Sequence, residues 1–211
     1  MTISLRLLES NSEIKKRIHE ALADHLNSVL AAGSKKLKTA IRSKIPRWIG
    51  AQPEIESLLR EGSLDSLNAH FGLPRGTSPS AVNAILQAVS ENIVIKTTKI
   101  KGNTLKGGIE FSIQPANFAN LLTLRQGHVT TDKQTDLHWL DWLLRQGSAV
   151  IIGGYEYTPR RDGRSGGGVM TKGSLWRVPP QFAGTLQNNF ITRALSNREK
   201  ELTVILKDVF K

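Results

Sequence analysis

The stretch NIVIKTTKIKGNTLKGGIEFSIQ, residues 92–114, separates two kinds of pattern in this chain. Ile109 and Phe111 alternate with polar residues in its second half, which is the two-residue period of a strand with one buried face. β-branched residues are frequent in both halves, and Gly102 with Asn103 supplies a turn between them. The stretch therefore predicts a β-hairpin. We expect an α+β fold, with a helical N-terminal part followed by a mostly antiparallel β-sheet with packed helices.

Upstream of the hairpin the apolar residues follow a helical period. Ser10 and Glu13 have the spacing of a capping box, and an apolar stripe then runs to Gly33, which we predict to end the helix. A second helix is expected from Ser34 until Pro46 stops it. The residues of the stripe are Ile14, Ile18, Leu22, Leu26 and Val29.

Proline and glycine divide the rest of the helical part into short segments. Helices are predicted at 53–61 and 64–71, closed by Gly62 and Gly72, and a third begins with Ser78 as its N-cap and Pro79 at its first position. Residues 1–90 thus form a predicted helical region.

Downstream of the hairpin, helix and strand signals alternate. A helix is predicted at 137–145, strands at 149–152, 155–158 and 168–171, and a helix capped by Thr185 that reaches Leu195. We expect the hairpin and the 137–145 helix to form the core. The predicted division is a helical region at 1–90, an α+β core at 91–196 and a C-terminal helix or tail at 197–211.

The chain is strongly basic. It has 29 Lys and Arg against 18 Asp and Glu, a formal net charge of +11, which favours an acidic partner. Residues 1–105 hold 15 basic and 9 acidic residues, and residues 106–211 hold 14 and 9, so neither half carries the excess alone. There is no apolar run of about 18 residues and no secretory signal pattern, so we expect no membrane partner and a protein that stays where it is made.

Motifs for catalysis are missing from the sequence. Cysteine is absent, which excludes disulfides, thiolate catalysis and cysteine-ligated metals. The five histidines form no HExxH pair, and no GxSxG elbow occurs. We therefore expect no enzyme activity, no cofactor and no metal; a hydrolase using Ser165 or Asp162 is retained only as a third alternative.

Three features are candidates for binding. The glycine-rich stretch from Arg160 to Gly168 fits a mobile or interface loop better than a phosphate cradle, because it lies between predicted strands. Lys35, Lys38 and Arg42 share one helical face, which is either a solvated surface or a nucleic-acid contact. Trp139 and Trp142 either pack in the core or contact an adjoining subunit.

The C-terminal half also carries a recognisable order of motifs. These are HWLDWLL (138–144), RSGGGVM (164–170), WRVPP (176–180), FAGT (182–185) and NFITRAL (189–195). Over residues 116–195 this order resembles virion proteins of tailed bacteriophages that are found among neck and tail genes.

The resemblance implies a structural subunit of the virion, at the head-to-tail junction or along the tail, without enzymatic activity. It implies a completion, terminator or connector protein, made in the host cytoplasm, that forms an oligomeric ring and contacts other neck or tail proteins. Its positive charge is expected to face either packaged DNA or acidic neighbouring proteins. We expect association through residues 160–176 and the termini. The candidate interface residues are Trp139, Trp142, Arg160, Arg161, Arg164, Trp176 and Arg177. The alternative is a sequence-independent nucleic-acid-binding protein that uses its basic surface.

Overall fold

The computed structural model describes residues 9–131 and 134–211, and they divide into two compact units. Unit 1 is built from the described part of 1–41 together with 94–112 and 200–211. Unit 2 is built from 42–93 and the described part of 113–199. Both units are discontinuous in sequence, so their boundaries differ from the predicted division at residues 90 and 196.

Helices predominate over strands, and the α+β fold class is confirmed. The helices are α1 Asn11–Arg42, α2 Ile45–Gly50, α3 Pro53–Leu59, α4 Leu67–His70, α5 Ser78–Glu91, α6 Ala119–Leu122, α7 Trp139–Asp141, α8 Phe190–Leu195 and α9 Glu199–Val209. The strands are β1 Val94–Thr98, β2 Gly108–Ser112, β3 Val129–Thr130, β4 Asp136–Leu137, β5 Ile152–Thr158 and β6 Val169–Trp176. Within the described residues, these strands pair as three separate two-stranded antiparallel ladders instead of one sheet.

Helix α1 begins as predicted and continues where a break was expected. The Ser10 hydroxyl accepts the Glu13 N–H at 3.3 Å while the Glu13 carboxylate accepts the Ser10 N–H at 2.9 Å, which completes the capping box. The hydrogen bonds that the Ser10 N–H and hydroxyl donate to the Glu13 carboxylate lower the pKa of Glu13. The predicted stop at Gly33 is wrong: this residue is buried inside α1, against the ring of Phe210. Its missing side chain makes room for that ring.

The predicted hairpin is present in unit 1. Strand β1 pairs with β2 from Val94↔Ser112 to Thr98↔Gly108. The chain reverses around Gly102 and Asn103, as expected, since the Lys101 carbonyl accepts the Thr104 N–H at 3.3 Å. The strands end earlier than predicted, and nine residues connect them.

The core of unit 2 lies between short helices. Most of its helices contribute fully buried side chains, among them Trp48 of α2, Ile55 of α3, Ile85 of α5, Trp139 of α7 and Phe190 of α8. The prediction that the 92–114 hairpin shares this core is wrong, because β1 and β2 belong to unit 1 and leave Val94 48% exposed. Helix α7 continues as a π-helical turn, Trp142–Gln146, up to Gly147.

Two predicted caps are also wrong in position. Thr77 precedes α5, and the hydroxyl of Ser78 instead accepts the buried Asn68 amide at 2.7 Å. Asn189, not Thr185, caps α8: its side-chain oxygen accepts the N–H groups of Ile191 and Thr192, both at 3.0 Å. The Ser78 hydroxyl is engaged by Asn68, and the Thr185 hydroxyl accepts the Asn188 N–H at 3.1 Å in the turn before α8, so neither caps its helix.

Candidate assembly surfaces

The apolar stripe predicted on α1 exists, and much of it is uncovered by the described chain. Ile18 is 59% exposed and Leu22 is 41% exposed. The buried residues of α1 all follow Leu22 along the helix: Ala23, Gly33, Leu37 and Ile41. Large apolar side chains repeated along one exposed helical face are typical of a docking surface.

Other elements of unit 1 expose large apolar side chains as well. Val94 on β1 is 48% exposed and Val204 on α9 is 57% exposed. Sequence alone does not reveal this exposure, because an apolar stripe has the same period whether its own chain or another chain covers it.

The basic residues singled out on α1 lie on one continuous helix. Lys35 is exposed and Lys38 is half-buried. Arg42 is exposed, and its Nε donates to the Ser90 carbonyl at 3.2 Å, so this guanidinium is partly engaged within unit 2. The structure thus places Lys35 and Lys38 where a polyanion can reach them.

The positive charge is distributed unevenly between the two units. The segments of unit 1 contain 14 Lys and Arg against 7 Asp and Glu, whereas those of unit 2 contain 15 against 11. Unit 1 has about half as many residues as unit 2, so the larger net positive charge lies on the smaller unit. Counting charges in the two halves of the sequence does not show this difference, because unit 1 is built from both ends of the chain and from a segment in its middle.

The glycine-rich stretch is a packed loop, which corrects the prediction of a mobile or interface loop. Its residues Ser165 to Gly168 are buried within unit 2. A Cβ at Gly167 would lie 2.7 Å from the Ala69 side chain, and one at Gly168 would enter the ring of Tyr157. The glycines therefore allow close packing against the same chain.

The arginines of this loop differ in their surroundings. Arg164 donates through Nε to the Gly72 carbonyl and through Nη1 to the Thr130 carbonyl at 2.8 Å, so it ties the loop to unit 2. Arg160 pairs with Asp162 at 2.6 Å on the surface, and Arg161 is exposed. Arg177 is exposed and donates to the Ser148 carbonyl. Arg160, Arg161 and Arg177 remain surface candidates.

Two of the predicted interface tryptophans are core residues. Trp139 is completely buried, and its Nε1 donates to the Gln126 carbonyl at 3.0 Å. Trp176 is 4% exposed and lies edge-on to Phe71 at 6.3 Å. Neither has surface to offer an adjoining subunit, so the prediction is wrong for both. Trp142 is half-buried.

A cavity of about 420 Å³ in unit 2 is lined by His70, Tyr157, Trp176, Arg177 and others. The His70 and Tyr157 rings stack with centroids 3.8 Å apart. Burial lowers the pKa of His70 to about 4, against the opposing effect of Asp65, so the imidazole is neutral near pH 7. Burial and the Asp65 charge raise the pKa of Tyr157 to about 12. Sequence reasoning missed this pairing, since the two residues are 87 positions apart.

A stacked pair of histidines flanks the short β3–β4 ladder. The rings of His128 and His138 stack at 3.9 Å, and Nδ1 of His128 lies 2.7 Å from the Asp136 carboxylate. Burial, followed by the charge of His128, lowers the pKa of His138. Asp136 is the first residue of β4, and Asp132 lies outside the described residues.

The two residues considered for hydrolysis are separate from each other. Ser165 is fully buried, and its hydroxyl accepts the Gly167 N–H at 3.3 Å. Asp162 is exposed and paired with Arg160.

In the part of the chain that the structure describes, no three His, Asp or Glu side chains are grouped as a metal site. No helix among residues 9–131 and 134–211 is both long and apolar enough to span a bilayer.

Comparisons with known proteins return no relative. No family model matches the chain, and no curated protein or solved structure matches it. The resemblance to phage neck and tail proteins therefore remains a prediction from the motifs between residues 116 and 195.

Proposed function

We propose that this protein is a structural subunit of a tailed-phage virion, placed at the neck or along the tail as a completion, terminator or connector protein. It acts by binding copies of itself in a ring and by binding neighbouring neck or tail proteins. The exposed apolar stripe of α1 is the observation that carries this proposal. The motif order of residues 116–195 supports it independently.

The stripe supports assembly because leaving it in water is unfavourable. Full burial of a Leu or Ile side chain stabilises by roughly 1.5–3 kcal/mol relative to exposure. Ile18 and Leu22 are the most exposed members, and they are one turn apart on the same helix. Because both are already partly covered, a partner helix or strand that covers them buries about one further side chain's worth of apolar surface, about 1.5–3 kcal/mol, which adds to the other contacts of the interface.

The β5–β6 hairpin offers a second docking element in unit 2. Within the described residues β5 pairs only with β6, so the outer edges of both strands are unpaired with other strands. Leu175 is 50% exposed and Met170 is 36% exposed on β6. Free strand edges with apolar side chains are a common route for one chain to add to the sheet of another.

Replacing the two exposed stripe residues tests the assembly surface. The double variant Ile18→Glu/Leu22→Glu places two carboxylates where the proposed partner would cover apolar side chains. We expect the dissociation constant of the oligomer to rise by at least about 100-fold, equivalent to about 3 kcal/mol. Analytical ultracentrifugation over a concentration series measures it.

The control variant is Ser28→Glu/Ala31→Glu, which adds the same charge at two exposed positions of α1 off the stripe. It should assemble like the original protein. Equal weakening by both variants, or a wild-type protein that is monomeric at every concentration, contradicts the stripe as an interface.

The virion role itself is tested on particles. Tailed particles produced by the genome that encodes this chain should contain it at a fixed whole-ring multiple, such as about six or about twelve copies. Quantitative mass spectrometry of purified particles measures the copy number, and crosslinking identifies the neighbour. Absence of the chain from purified particles refutes the proposal.

The second candidate function, sequence-independent nucleic-acid binding within the cell, is favoured by one observation. The positive charge is concentrated in unit 1, where Lys35 and Lys38 are accessible on α1. A protein with this role binds duplexes of unrelated sequence with affinity that falls steeply as salt rises. It is also absent from purified particles, which distinguishes it from the virion subunit.

A further inference from the structure

The connection between β1 and β2, residues 99–107, carries three lysines and no acidic residue. Lys99, Lys101 and Lys106 are all exposed. None of them forms an ion pair with a carboxylate among the residues that the structure describes. We name this segment the lysine loop.

The lysine loop is held in a defined shape by helix α1. The side-chain amide of Asn27 donates to the Ile100 carbonyl at 3.0 Å, and its oxygen accepts the Ile100 N–H at 2.7 Å. Ile100 is buried, whereas Lys99 and Lys101 on either side of it point their charges to solvent. A single asparagine thus fixes the backbone between two exposed cations.

Two glycines complete this support. Gly102 lies against α1 at Glu20, where an added Cβ would be 3.0 Å from the Glu20 Cα. Gly107 has a φ of 154° and approaches the backbone of Ile100 so closely that a Cβ would be 2.7 Å from its Cα. The loop is therefore ordered before any partner binds, which reduces the entropy lost on binding.

Helix geometry relates the lysine loop to the basic part of α1. Lys38 follows Asn27 by eleven residues, which is close to three whole turns, so both lie on the same face of the helix. At 1.5 Å per residue they are about 16 Å apart along the axis. Duplex DNA carries a phosphate charge about every 1.7 Å of its axis, so one duplex presents phosphates to both positions.

We infer that the lysine loop, together with Lys38, is a binding site for the sugar-phosphate backbone of duplex DNA. The contacts read no base sequence, because ammonium groups on a loop neutralise phosphates without a fork that matches base edges. DNA is favoured over an acidic protein surface because the lysine loop and Lys38 lie about 16 Å apart along α1, a span over which one duplex presents regularly spaced phosphates. This inference does not rest on the virion role, since it concerns a single chain and a bare duplex.

Salt-dependent binding to a labelled duplex of about 20 base pairs tests the site. The variant Lys99→Gln/Lys101→Gln/Lys106→Gln should flatten the slope of log affinity against log salt by about 2.7, or about 0.9 for each lost phosphate contact. Two duplexes of unrelated sequence should give the same slope. Fluorescence anisotropy provides the affinities, and circular dichroism checks that each variant is folded.

The control variant is Lys172→Gln/Lys200→Gln/Lys207→Gln, which removes three exposed lysines elsewhere and lowers the net charge of +11 by the same amount. It should leave the slope within about one unit of the original. An equal flattening by both variants shows a general charge effect and overturns the site. Absence of binding at low salt overturns it too.

Two further measurements separate the remaining explanations. Asn27→Ala keeps every charge but releases the loop, so affinity should fall by about threefold to tenfold with the slope unchanged. An unchanged affinity refutes the role of preorganisation. If polyglutamate binds with the same dependence on the three lysines while DNA does not bind, the partner is an acidic protein surface and the DNA inference is wrong.

Discussion

The contact between Gly33 and Phe210 makes a sharp prediction about how unit 1 is held together. Replacing glycine by alanine inside a helix normally stabilises it by about 0.8–1.0 kcal/mol. At Gly33 the new Cβ would lie 2.7 Å from Cδ1 and Cζ of the Phe210 ring and closer still to Cε1. Carbon atoms in ordinary contact are about 3.5–4.0 Å apart, so the ring has to withdraw by about 1 Å or more.

When the Phe210 ring withdraws, it loses a large part of the free energy that its burial contributes. Full burial of a Phe side chain contributes up to about 3 kcal/mol, and Phe210 is half-buried, so about 1–1.5 kcal/mol is lost. In the original protein Gly33→Ala should therefore be neutral or destabilising by up to about 0.5 kcal/mol. In a Phe210→Ala background the same change should stabilise by about 1 kcal/mol, because nothing opposes the helix propensity.

A double-mutant cycle in urea, followed by far-ultraviolet circular dichroism, measures the coupling between the two positions, expected at about 1–1.5 kcal/mol. Tryptophan fluorescence is the internal control, since all four tryptophans lie in the segments of unit 2. Gly33→Ala that stabilises equally in both backgrounds, within about 0.4 kcal/mol, refutes the packing role of Gly33.

Two further predictions concern buried charge in unit 2. The pKa of His70 is depressed to about 4, so as pH falls from about 6.5 to 4 the unfolded chain takes up a proton before the folded chain, and stability is lost across that range. His70→Phe should remove this part of the pH dependence of urea midpoints; a dependence that persists shows that other groups cause it. Arg193 pairs with Glu54, which is 1% exposed, so Arg193→Ala should destabilise by about 3–5 kcal/mol. Adding Glu54→Gln should recover part of that loss, and thermal melts that show no recovery contradict a penalty from an uncompensated carboxylate.

The features that the sequence predicts correctly depend on nearby residues. The Ser10–Glu13 capping box, the helical period of α1 and the β1–β2 hairpin all follow from residues within one or two turns of each other. The turn at Gly102 and Asn103 is correct for the same reason. Strand ends are less accurate, because the nine-residue connection owes its shape to Asn27 on a distant helix.

The wrong predictions concern residues whose structural role is set by distant parts of the chain. A glycine after an apolar stripe, such as Gly33, is typical of a helix end. Its role inside the helix is explained only by the contact with Phe210, which is 177 positions away. The buried glycines at 166–168 have the composition of an open loop, yet Ala69 and Tyr157 close over them. A local pattern of glycines is the same for a flexible loop and for a close contact, so sequence alone does not separate the two.

Exposure of the α1 stripe links the proposed assembly to the stability of the helix itself. No residue of α1 before Ala23 is buried by the described residues, although Ile14 and His19 are half-buried, so the first twelve residues of the helix obtain little packing energy from the part of the chain that the structure describes. The remainder of α1 provides the helical nucleus, but an end with few tertiary contacts frays more readily than the packed part of the helix. The Ser10–Glu13 cap contributes only about 1 kcal/mol. A partner that covers Ile18 and Leu22 therefore supplies the packing that this half of α1 lacks, and binding and helix formation reinforce each other by mass action. The lysine loop rests on the same part of the helix, through Glu20 and Asn27, so assembly at the stripe also steadies the surface that we assign to DNA.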